Sequence, residues 1–442
     1  MTVRFAPSPT GFLHLGNARV ALFNYLLVLS CGGRFILRID DTGPDADPSY
    51  EDAIEEDLRW LGIKWDEKHR QSERRKRYLK AFERLVSERL VYPCFCSKED
   101  LERERRLSLK RGLPPRYSGR CSRIPFEEAM RRAEAGEPCC WRFRIPRGRV
   151  VAVEDAVRGR LEFDADSFGD FVIRRSDGSF LYLFTSSVDD GDMGVDIVIR
   201  GEDHLSNAPL QVLVMEALGY APPKFAHLPL MVDERGRPYS KSESSPSVRS
   251  FRDRGFFPEA ICLALFSTGR GDFPDAPISL REMALSFDLS KYGLSKQVLP
   301  LSFIERCNRI YMMGLPLKDL VERFAAFCGV SISDRVEKFV KIFRENAVTL
   351  HDLCVFYKKV VEGRYPVLSL SERERVVLKE VLKASSLEDL ESRYPKGKLY
   401  RTLRRAITGD SKGPPLADVI SLIGWDEVKN RVKKQLEGRD GC

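Results

Sequence analysis

Near its start the chain carries the sequence Arg4-Phe-Ala-Pro-Ser8-Pro-Thr-Gly11-Phe-Leu-His14-Leu-Gly16-Asn17. The pattern predicts a short strand, a loop broken by prolines and glycines, and an apolar helix over residues 18–29. Gly11 and Gly16 would let the backbone approach a ligand, and the helix start would present N–H groups and a partial positive charge. With His14 and Asn17 beside it, this arrangement predicts an anion site. An ordinary strand, turn and helix with a surface histidine is the alternative, because so short a motif is weak by itself.

A second buried strand is predicted over residues 35–39, and it delivers Asp40 and Asp41 at its carboxyl end. In an open α/β sheet this edge binds ligands, so Asp40 is a candidate site residue. Carboxylates that cap the next turn would give the same local pattern. Amphipathic helices over residues 50–61 and 78–90 complete a right-handed βαβ half of a nucleotide-binding fold.

Together, these two motifs resemble the opening of bacterial-type glutamyl-tRNA synthetases, class I aminoacyl-tRNA synthetases whose His-x-Gly-x signature binds the phosphates of ATP. The related glutaminyl enzymes carry Pro-Glu-Pro-Asn-Gly where this chain has Pro-Ser-Pro-Thr-Gly over residues 7–11, which favours glutamate. The resemblance implies an α/β, Rossmann-like catalytic domain with an inserted α+β acceptor-binding domain and an all-α C-terminal anticodon-binding domain. It also implies that ATP, with Mg²⁺, activates L-glutamate, and that the glutamyl group passes to the 3′ end of tRNA(Glu), or also or instead to that of tRNA(Gln).

The resemblance assigns residues to each substrate. Those assigned to glutamate are Arg4, Ser8, Asp40, Tyr182, Ser186 and Arg200. Those assigned to ATP are Gly11, His14, Gly16, Asn17 and Lys241. Asp40 replaces the usual Glu of the family, and Ser186 replaces the commoner Asn. Independently of the resemblance, Arg200 follows a short apolar strand over residues 197–199, where an arginine is well placed to bind a carboxylate through two hydrogen bonds.

The sequence over residues 227–243 predicts a strand, a turn and a loop. This loop resembles the second class I signature, which reads Lys-Leu-Ser-Lys-Arg in this family. Only Ser240 and Lys241 match it, and Arg237, one position early, could compensate for the missing cations. We expect Lys241 to act with His14 and Asn17 in catalysis. These residues would position the substrates and stabilise developing charge, and the reaction then requires no protein nucleophile. A surface loop is the alternative for this stretch alone.

Three cysteines in the predicted insertion could bind a metal ion. Cys94, Cys96 and Cys121 can supply three thiolates to a tetrahedral Zn²⁺. The family has a fourth ligand where this chain has Arg123, whereas some relatives use a tyrosine at the position of Tyr117. A zinc site and buried free cysteines both stay open. In the same insertion, alternating residues over 141–163 and the pair at residues 177 and 178 predict strands and a hairpin.

Composition indicates a chain of two to four domains with apolar cores, since 442 residues include 43% hydrophobic ones. Eleven cysteines without a secretion signal argue for reduced thiols and a cytoplasmic location. The apolar run over residues 20–29 is read as a core helix, so no membrane association is expected.

The net charge of +8 lies mostly in the last third, where residues 301–442 hold 27 Lys and Arg against 20 Asp and Glu. A nucleic-acid partner is therefore expected there. The basic run over residues 396–405 supplies the tRNA-binding candidates Arg401, Arg404 and Arg405. The chain is expected to act as a monomer. Another basic run, over residues 103–120, could hold phosphates near the 3′ end of tRNA or form a solvated surface.

Domain boundaries follow from the resemblance: catalytic halves at 1–90 and 181–245, the insertion at 91–180, a stem-contact region at 246–315 and the helical domain at 316–442. Two other functions remain open. A tRNA-modifying relative that transfers glutamate to an anticodon base lacks the C-terminal helical domain, so the last 140 or so residues count against it. A catalytically silent homologue that binds nucleic acid is compatible with the altered loop at Lys241.

Overall fold

A computed structural model describes residues 1–112, 114–239 and 246–438. Two compact units make up the chain: Met1–Arg249 with Leu265–Phe273 and Ser279–Leu299, and Ser250–Ala264 with Pro274–Ile278 and Pro300–Cys442. The described strands all belong to the first unit. They are β1 (Thr2–Phe5), β2 (Arg34–Ile39), β3 (Glu67–Arg70), β4 (Val91–Cys94), β5 (Cys140–Phe143), β6 (Val150–Asp155), β7 (Gly159–Asp164), β8 (Phe171–Arg174), β9 (Ile197–Gly201), β10 (Lys224–Leu228), β11 (Met231–Val232) and β12 (Gln297–Val298).

The first ten α-helices are α1 (Leu15–Cys31), α2 (Pro48–Trp60), α3 (Arg75–Ser87), α4 (Lys98–Lys110), α5 (Phe126–Glu134), α6 (Tyr182–Asp192), α7 (Ala208–Ala217), α8 (Val248–Asp253), α9 (Pro258–Ser267) and α10 (Leu280–Leu285). The predictions of α1, α2 and α3 are confirmed, with ends shifted by one to three residues.

The main sheet has the strand order β3-β2-β1-β9-β10-β6-β7, and only β7 runs antiparallel to its neighbour. This confirms the α/β class predicted from the strands and helices of the first 90 residues. From the central pair β1 and β9 the chain runs outward through β2 and β3 on one side and through β10 on the other, so the carboxyl ends of these strands leave a crevice for a ligand. Helix α1 packs on β1, β2 and β9 and fixes one side of that crevice.

Strands β6 and β7 lie within the stretch predicted to alternate over residues 141–163, but they extend the main sheet. Asp155 of β6 is in register with Phe225 of β10. Strands β4, β5 and β8, which flank β6 and β7 in sequence, form a separate antiparallel sheet in the order β4-β5-β8. Alternation predicts that a strand exists, but it cannot predict which sheet the strand joins.

The predicted hairpin around residues 177 and 178 is only partly present. Arg174 pairs with Phe180 through a single bridge, and the N–H of Leu181 then donates to the carbonyl of Ile173. Leu181 precedes the first turn of α6, so Tyr182 is helical rather than part of a second strand. The apolar run that suggested a strand is instead the entry to a buried helix.

The second unit continues with α11 (Leu301–Gly314), α12 (Leu317–Cys328), α13 (Asp334–Phe343), α14 (Leu350–Val360), α15 (Glu372–Lys383), α16 (Leu387–Glu391), α17 (Lys396–Thr408), α18 (Leu416–Ile423) and α19 (Trp425–Glu437). This confirms the helical C-terminal region. The expectation of reduced thiols is wrong at one pair, because Cys328 of α12 forms a disulfide with Cys354 of α14. Packing of the two helices brings these Cα atoms to 5.6 Å, a distance that sequence spacing cannot predict. Among the described helices, none combines the length and the apolar character that crossing a membrane requires.

Candidate active site

A cavity of about 820 Å³ lies at the carboxyl ends of β1, β2, β9 and β10 in the first unit. The residues predicted from sequence that line it are Arg4, Ser8, His14, Gly16, Asn17, Asp40, Tyr182 and Arg200. Because parallel strands end at one edge of the sheet, residues almost 200 positions apart meet there. The strand order therefore brings the two predicted substrate sites into one cavity.

One wall of the cavity is the beginning of α1. His14 caps this helix, since its Nδ1 accepts a hydrogen bond from the backbone N–H of Asn17 over 3.3 Å. A Cβ atom on Gly16 would lie 3.1 Å from both the imidazole of His14 and the carbonyl oxygen of Tyr239, so a larger residue would crowd this wall. A helix start that lines a cavity, with no acidic residue in its first turn, favours an anion such as phosphate.

Another wall carries Arg200, which is only 5% exposed at the end of β9. Its Nε donates to Nε2 of His227 over 3.0 Å, its Nη1 to Oε1 of Gln211 over 2.7 Å, and its Nη2 to the carbonyl of His204 over 3.1 Å. All three acceptors are neutral groups, and burial lowers the pKa of Arg200. In the part of the chain that the structure describes, no carboxylate forms an ion pair with this guanidinium.

Between these walls lies a buried network of charges. Arg38 binds Asp40 over 2.7 Å and Asp190 over 2.6 Å, and Arg4 binds Asp190 over 3.2 Å. Burial raises the pKa of Asp40 to about 6, although Arg38 opposes this shift. For Asp190, Arg4 and Arg38 outweigh the effect of burial and lower the pKa. Asp189 lies 3.8 Å from Arg38 and is itself paired with Arg74 over 2.6 Å, so positive and negative groups balance within the network.

Sequence reasoning missed Arg38, Asp190, Gln211 and His227 as parts of this site. The sequence did contain a signal for Arg38, because a charged residue inside an otherwise buried strand needs a partner of opposite charge. For the other three, the contacts depend on how α6, α7 and β10 pack around β9. No local pattern in the sequence specifies that packing.

Three predicted residues lie elsewhere or cannot be placed. The backbone at Gly11 is not part of the cavity wall, and a Cβ built there meets nothing within 4 Å. Ser186 does not line the pocket, in contrast to the expectation, because it is fully buried behind the wall and accepts a hydrogen bond from Gln211 over 2.6 Å. Lys241 lies outside the described residues, as does Ser240. Arg237, the alternative cation, forms an ion pair with Asp233.

The cysteine cluster predicted from sequence is present. The sulfur atoms of Cys94, Cys96 and Cys121 all lie within 4.8 Å of one another. The hydroxyl of Tyr117 is 3.4 Å from Sγ of Cys94 and 3.7 Å from Sγ of Cys96. Nε of Arg142 lies 3.2 Å from Sγ of Cys94, so a positive charge accompanies the sulfur cluster. These distances bring together the donors that a tetrahedral metal site uses.

The three arginines predicted to bind tRNA differ in the second unit. Arg401 is exposed, Arg405 forms an ion pair with Glu374, and Arg404 is only 9% exposed. Arg404 lies on the buried side of α17, where burial lowers its pKa. Among the three tRNA-binding candidates, Arg404 is thus the one whose side chain the helical period places beside the apolar face.

Comparison with known proteins identifies the family. Residues 1–291 match the family described as tRNA synthetases class I (E and Q), catalytic domain, and residues 368–436 match an anticodon binding domain. The glutamate–tRNA ligase of Aquifex aeolicus is 38% identical, with 98% of each chain covered, and that of Bacillus velezensis is 35% identical with the same coverage. This chain belongs to the class I tRNA synthetases of the E and Q type.

Solved structures of this synthetase family agree with the fold over the full length. A glutamate–tRNA ligase from Elizabethkingia meningosepticum, crystallised in complex with its amino acid, has a TM-score of 0.83, 28% identity and 99% coverage of both chains. The synthetase from Elizabethkingia anophelis has a TM-score of 0.82 at 28% identity. The resemblance inferred from the first signature is thus confirmed, and so is the class I fold.

Proposed function

We infer that this chain is a glutamate–tRNA ligase, which activates L-glutamate with ATP and transfers the glutamyl group to the 3′ end of tRNA. The observation that carries the choice of amino acid is the buried guanidinium of Arg200 on the cavity wall, whose three hydrogen-bond acceptors are all neutral. A buried positive charge of this kind is stabilised by a carboxylate ligand. Full-length relatives named glutamate–tRNA ligase support the same reaction.

In the proposed reaction an oxygen of the α-carboxylate of glutamate attacks the α-phosphorus of ATP. The bond to the bridging oxygen breaks, pyrophosphate leaves, and glutamyl-adenylate forms. A hydroxyl of the terminal ribose of tRNA then attacks the carbonyl carbon of the glutamyl group and loses its proton to the leaving phosphate or to water. The bond between that carbon and the phosphate oxygen breaks, and AMP leaves. We propose that the start of α1, with His14 and Asn17, holds the phosphates, and that Arg200 and Asp40 bind the two ends of glutamate.

Mg²⁺, when bound with ATP, neutralises part of the phosphate charge. Among the described residues, the acidic side chains on the cavity wall are Asp40 and Asp203, and Asp40 is already bonded to Arg38. We propose that ATP and water supply most of the ligands of the ion, which leaves Asp203 as the wall carboxylate available to it among the described residues. Lys241 is proposed, on the resemblance alone, to stabilise the leaving pyrophosphate.

We propose that Cys94, Cys96, Cys121 and Tyr117 hold a structural Zn²⁺. Three thiolates and a phenolate fit the four-coordinate preference of zinc, and the sulfur spacing of 3.5 Å between Cys96 and Cys121 suits ligands of one ion. The guanidinium of Arg142, which also stacks on the ring of Tyr117, would offset the excess negative charge of such a site. The ion would join β4 to the short 3-10 helix that carries Cys121.

The proposal also covers the tRNA partner, the domain boundaries, the oligomeric state and the cellular location. We propose that the region matched as an anticodon binding domain contacts tRNA through Arg401 and Arg405. The domain boundaries are proposed as expected from the sequence, except that β6 and β7 belong to the main sheet. The substrate is tRNA(Glu), with tRNA(Gln) as a second candidate. A monomer in the cytoplasm is proposed from composition.

Aminoacylation of purified tRNA(Glu) and tRNA(Gln) with labelled glutamate tests this proposal directly. Charging of either tRNA supports the ligase, and the ratio of the two kcat/KM values defines the tRNA substrate. Adenylate formation with and without tRNA separates the alternatives. A silent homologue that only binds nucleic acid would form no adenylate under either condition, and a tRNA-modifying relative would place glutamate on an anticodon base instead of the 3′ end.

A further inference from the structure

The side chain of Arg200 is held by a buried chain of hydrogen bonds that begins 45 positions earlier, at Asp155. Oδ2 of Asp155 lies 2.6 Å from Nδ1 of His227, and Nε2 of His227 lies 3.0 Å from Nε of Arg200. Side chains of both Asp155 and His227 have no exposed surface. The three groups form an unbroken row from the end of β6, across β10, to the cavity wall on β9.

Proton positions in this row follow from chemistry. An arginine only donates hydrogen bonds, so Nε2 of His227 must accept from Arg200. An ionised carboxylate only accepts, so Nδ1 of His227 must donate to Asp155. His227 is therefore neutral and restricted to one tautomer. Burial lowers the pKa of His227, and the hydrogen bond from His227 is the main cause that lowers the pKa of Asp155 against the effect of burial.

Asp155 is itself fixed by the backbone. Its Oδ1 accepts from the N–H groups of Val157 and Arg158, each over 2.9 Å, and its Oδ2 also accepts from the backbone N–H of His227 over 3.2 Å. The ring of Phe225 lies nearly parallel to the imidazole, at 5.6 Å between centroids. The imidazole can therefore neither rotate nor exchange its hydrogen-bond partner without losing several contacts.

We propose that Asp155 and His227 are positioning residues that aim the guanidinium of Arg200 at the side-chain carboxylate of the amino acid, and so contribute to selection of glutamate over glutamine. This proposal rests on the proposed function. A carboxylate in direct contact with Arg200 would orient it equally well, but it would also neutralise the charge that the substrate must meet. The neutral imidazole of His227 orients the guanidinium of Arg200, and its ring separates that guanidinium from the negative charge of Asp155.

Steady-state kinetics on His227→Leu and His227→Gln test this role. We expect His227→Leu to raise the KM for glutamate at least tenfold and to leave the KM for ATP within twofold. His227→Gln should recover most of the loss, because its amide can accept from Arg200 and donate to Asp155. Asp155→Asn should raise the KM for glutamate several-fold, whereas the control Asp170→Asn, which removes an equally buried carboxylate that also accepts a backbone N–H, should leave it within twofold.

A double-mutant cycle separates an action through Arg200 from general damage. In an Arg200→Gln background, His227→Leu should change the KM for glutamate by less than twofold. Equal effects in both backgrounds, or an unchanged glutamate KM in His227→Leu, would overturn the inference while leaving the function intact. An unchanged glutamate KM in Arg200→Gln alone would instead contradict the proposed function. If His227→Leu does not fold, as judged by thermal melting, the contrast between Asp155→Asn and Asp170→Asn decides the question.

Discussion

Replacing Arg200 by alanine is the most direct perturbation of amino-acid recognition. The guanidinium has five N–H groups, and three of them donate to His227, Gln211 and His204. These bonds leave one N–H on each terminal nitrogen for a further acceptor, and the hydroxyl of Tyr182 interacts with the same guanidinium. A carboxylate that accepts from an N–H group of a buried guanidinium forms a charge-assisted hydrogen bond.

The expected size of the effect follows from this geometry. Loss of one partner from a buried, hydrogen-bonded charge pair costs about 2–5 kcal/mol. At about 1.4 kcal/mol for each factor of ten, the KM for glutamate should rise by roughly 30-fold to several thousand-fold. The KM for ATP should stay nearly constant, because the start of α1, rather than Arg200, is proposed to hold the phosphates.

Pyrophosphate exchange or aminoacylation at increasing glutamate concentrations gives both constants. Arg270→Ala is a matched control, since its side chain is 1% exposed in the same unit but is already ion-paired with Asp272. We expect Arg270→Ala to affect thermal stability without a selective change in the KM for glutamate. A rise below threefold in the Arg200 variant, with normal folding, would refute the assignment of this residue to the substrate carboxylate.

Four other perturbations have clear expected outcomes. Lys241→Ala should lower kcat by about 10²–10³-fold in pre-steady-state adenylate formation, as loss of one transition-state donor does, and full activity would contradict its proposed role. Mass spectrometry of the native protein should find one zinc per chain, and Cys94→Ser should lose the ion and lower the Tm. Arg401→Ala should reduce the slope of log K against log salt for tRNA binding by about 0.7–0.9, whereas an unchanged slope would remove Arg401 from the interface. Because the pKa of Asp40 is raised to about 6, its carboxylate is charged above that pH, so the KM for glutamate should rise as the pH falls below 6, and Asp40→Asn should abolish this dependence.

The parts of the site that were predictable from sequence lie close to the ends of strands. Asp40 directly follows β2, and His14 and Asn17 stand at the start of the helix that follows β1, so a local pattern was enough to place them at one edge. Arg200 was predictable for the same reason. In each case the argument needed only the rule that parallel strands share a carboxyl edge, and not the order of the strands.

The remaining parts depend on strand order and helix packing. Asp155 reaches His227 only because β6 pairs with β10, although alternation had predicted β6 merely as a strand of the inserted segment. The disulfide between Cys328 and Cys354 likewise reflects how α12 and α14 pack. Burial of Arg404 is different, since it precedes the buried Ile407 by three residues on α17, and the helical period alone would have revealed it.

The charges around the cavity explain why an acidic amino acid suits it. Arg4 and Arg38 are balanced by Asp190 and Asp40, whereas the hydrogen bonds of Arg200 all go to neutral acceptors. A glutamine side chain would leave that buried charge without a counter-ion, and a site built for a polar group strongly rejects a ligand that cannot pair with it. Discrimination by this mechanism requires that the protein itself not neutralise Arg200. A neutral His227, held in one tautomer by Asp155, meets that requirement because it orients the guanidinium without cancelling its charge.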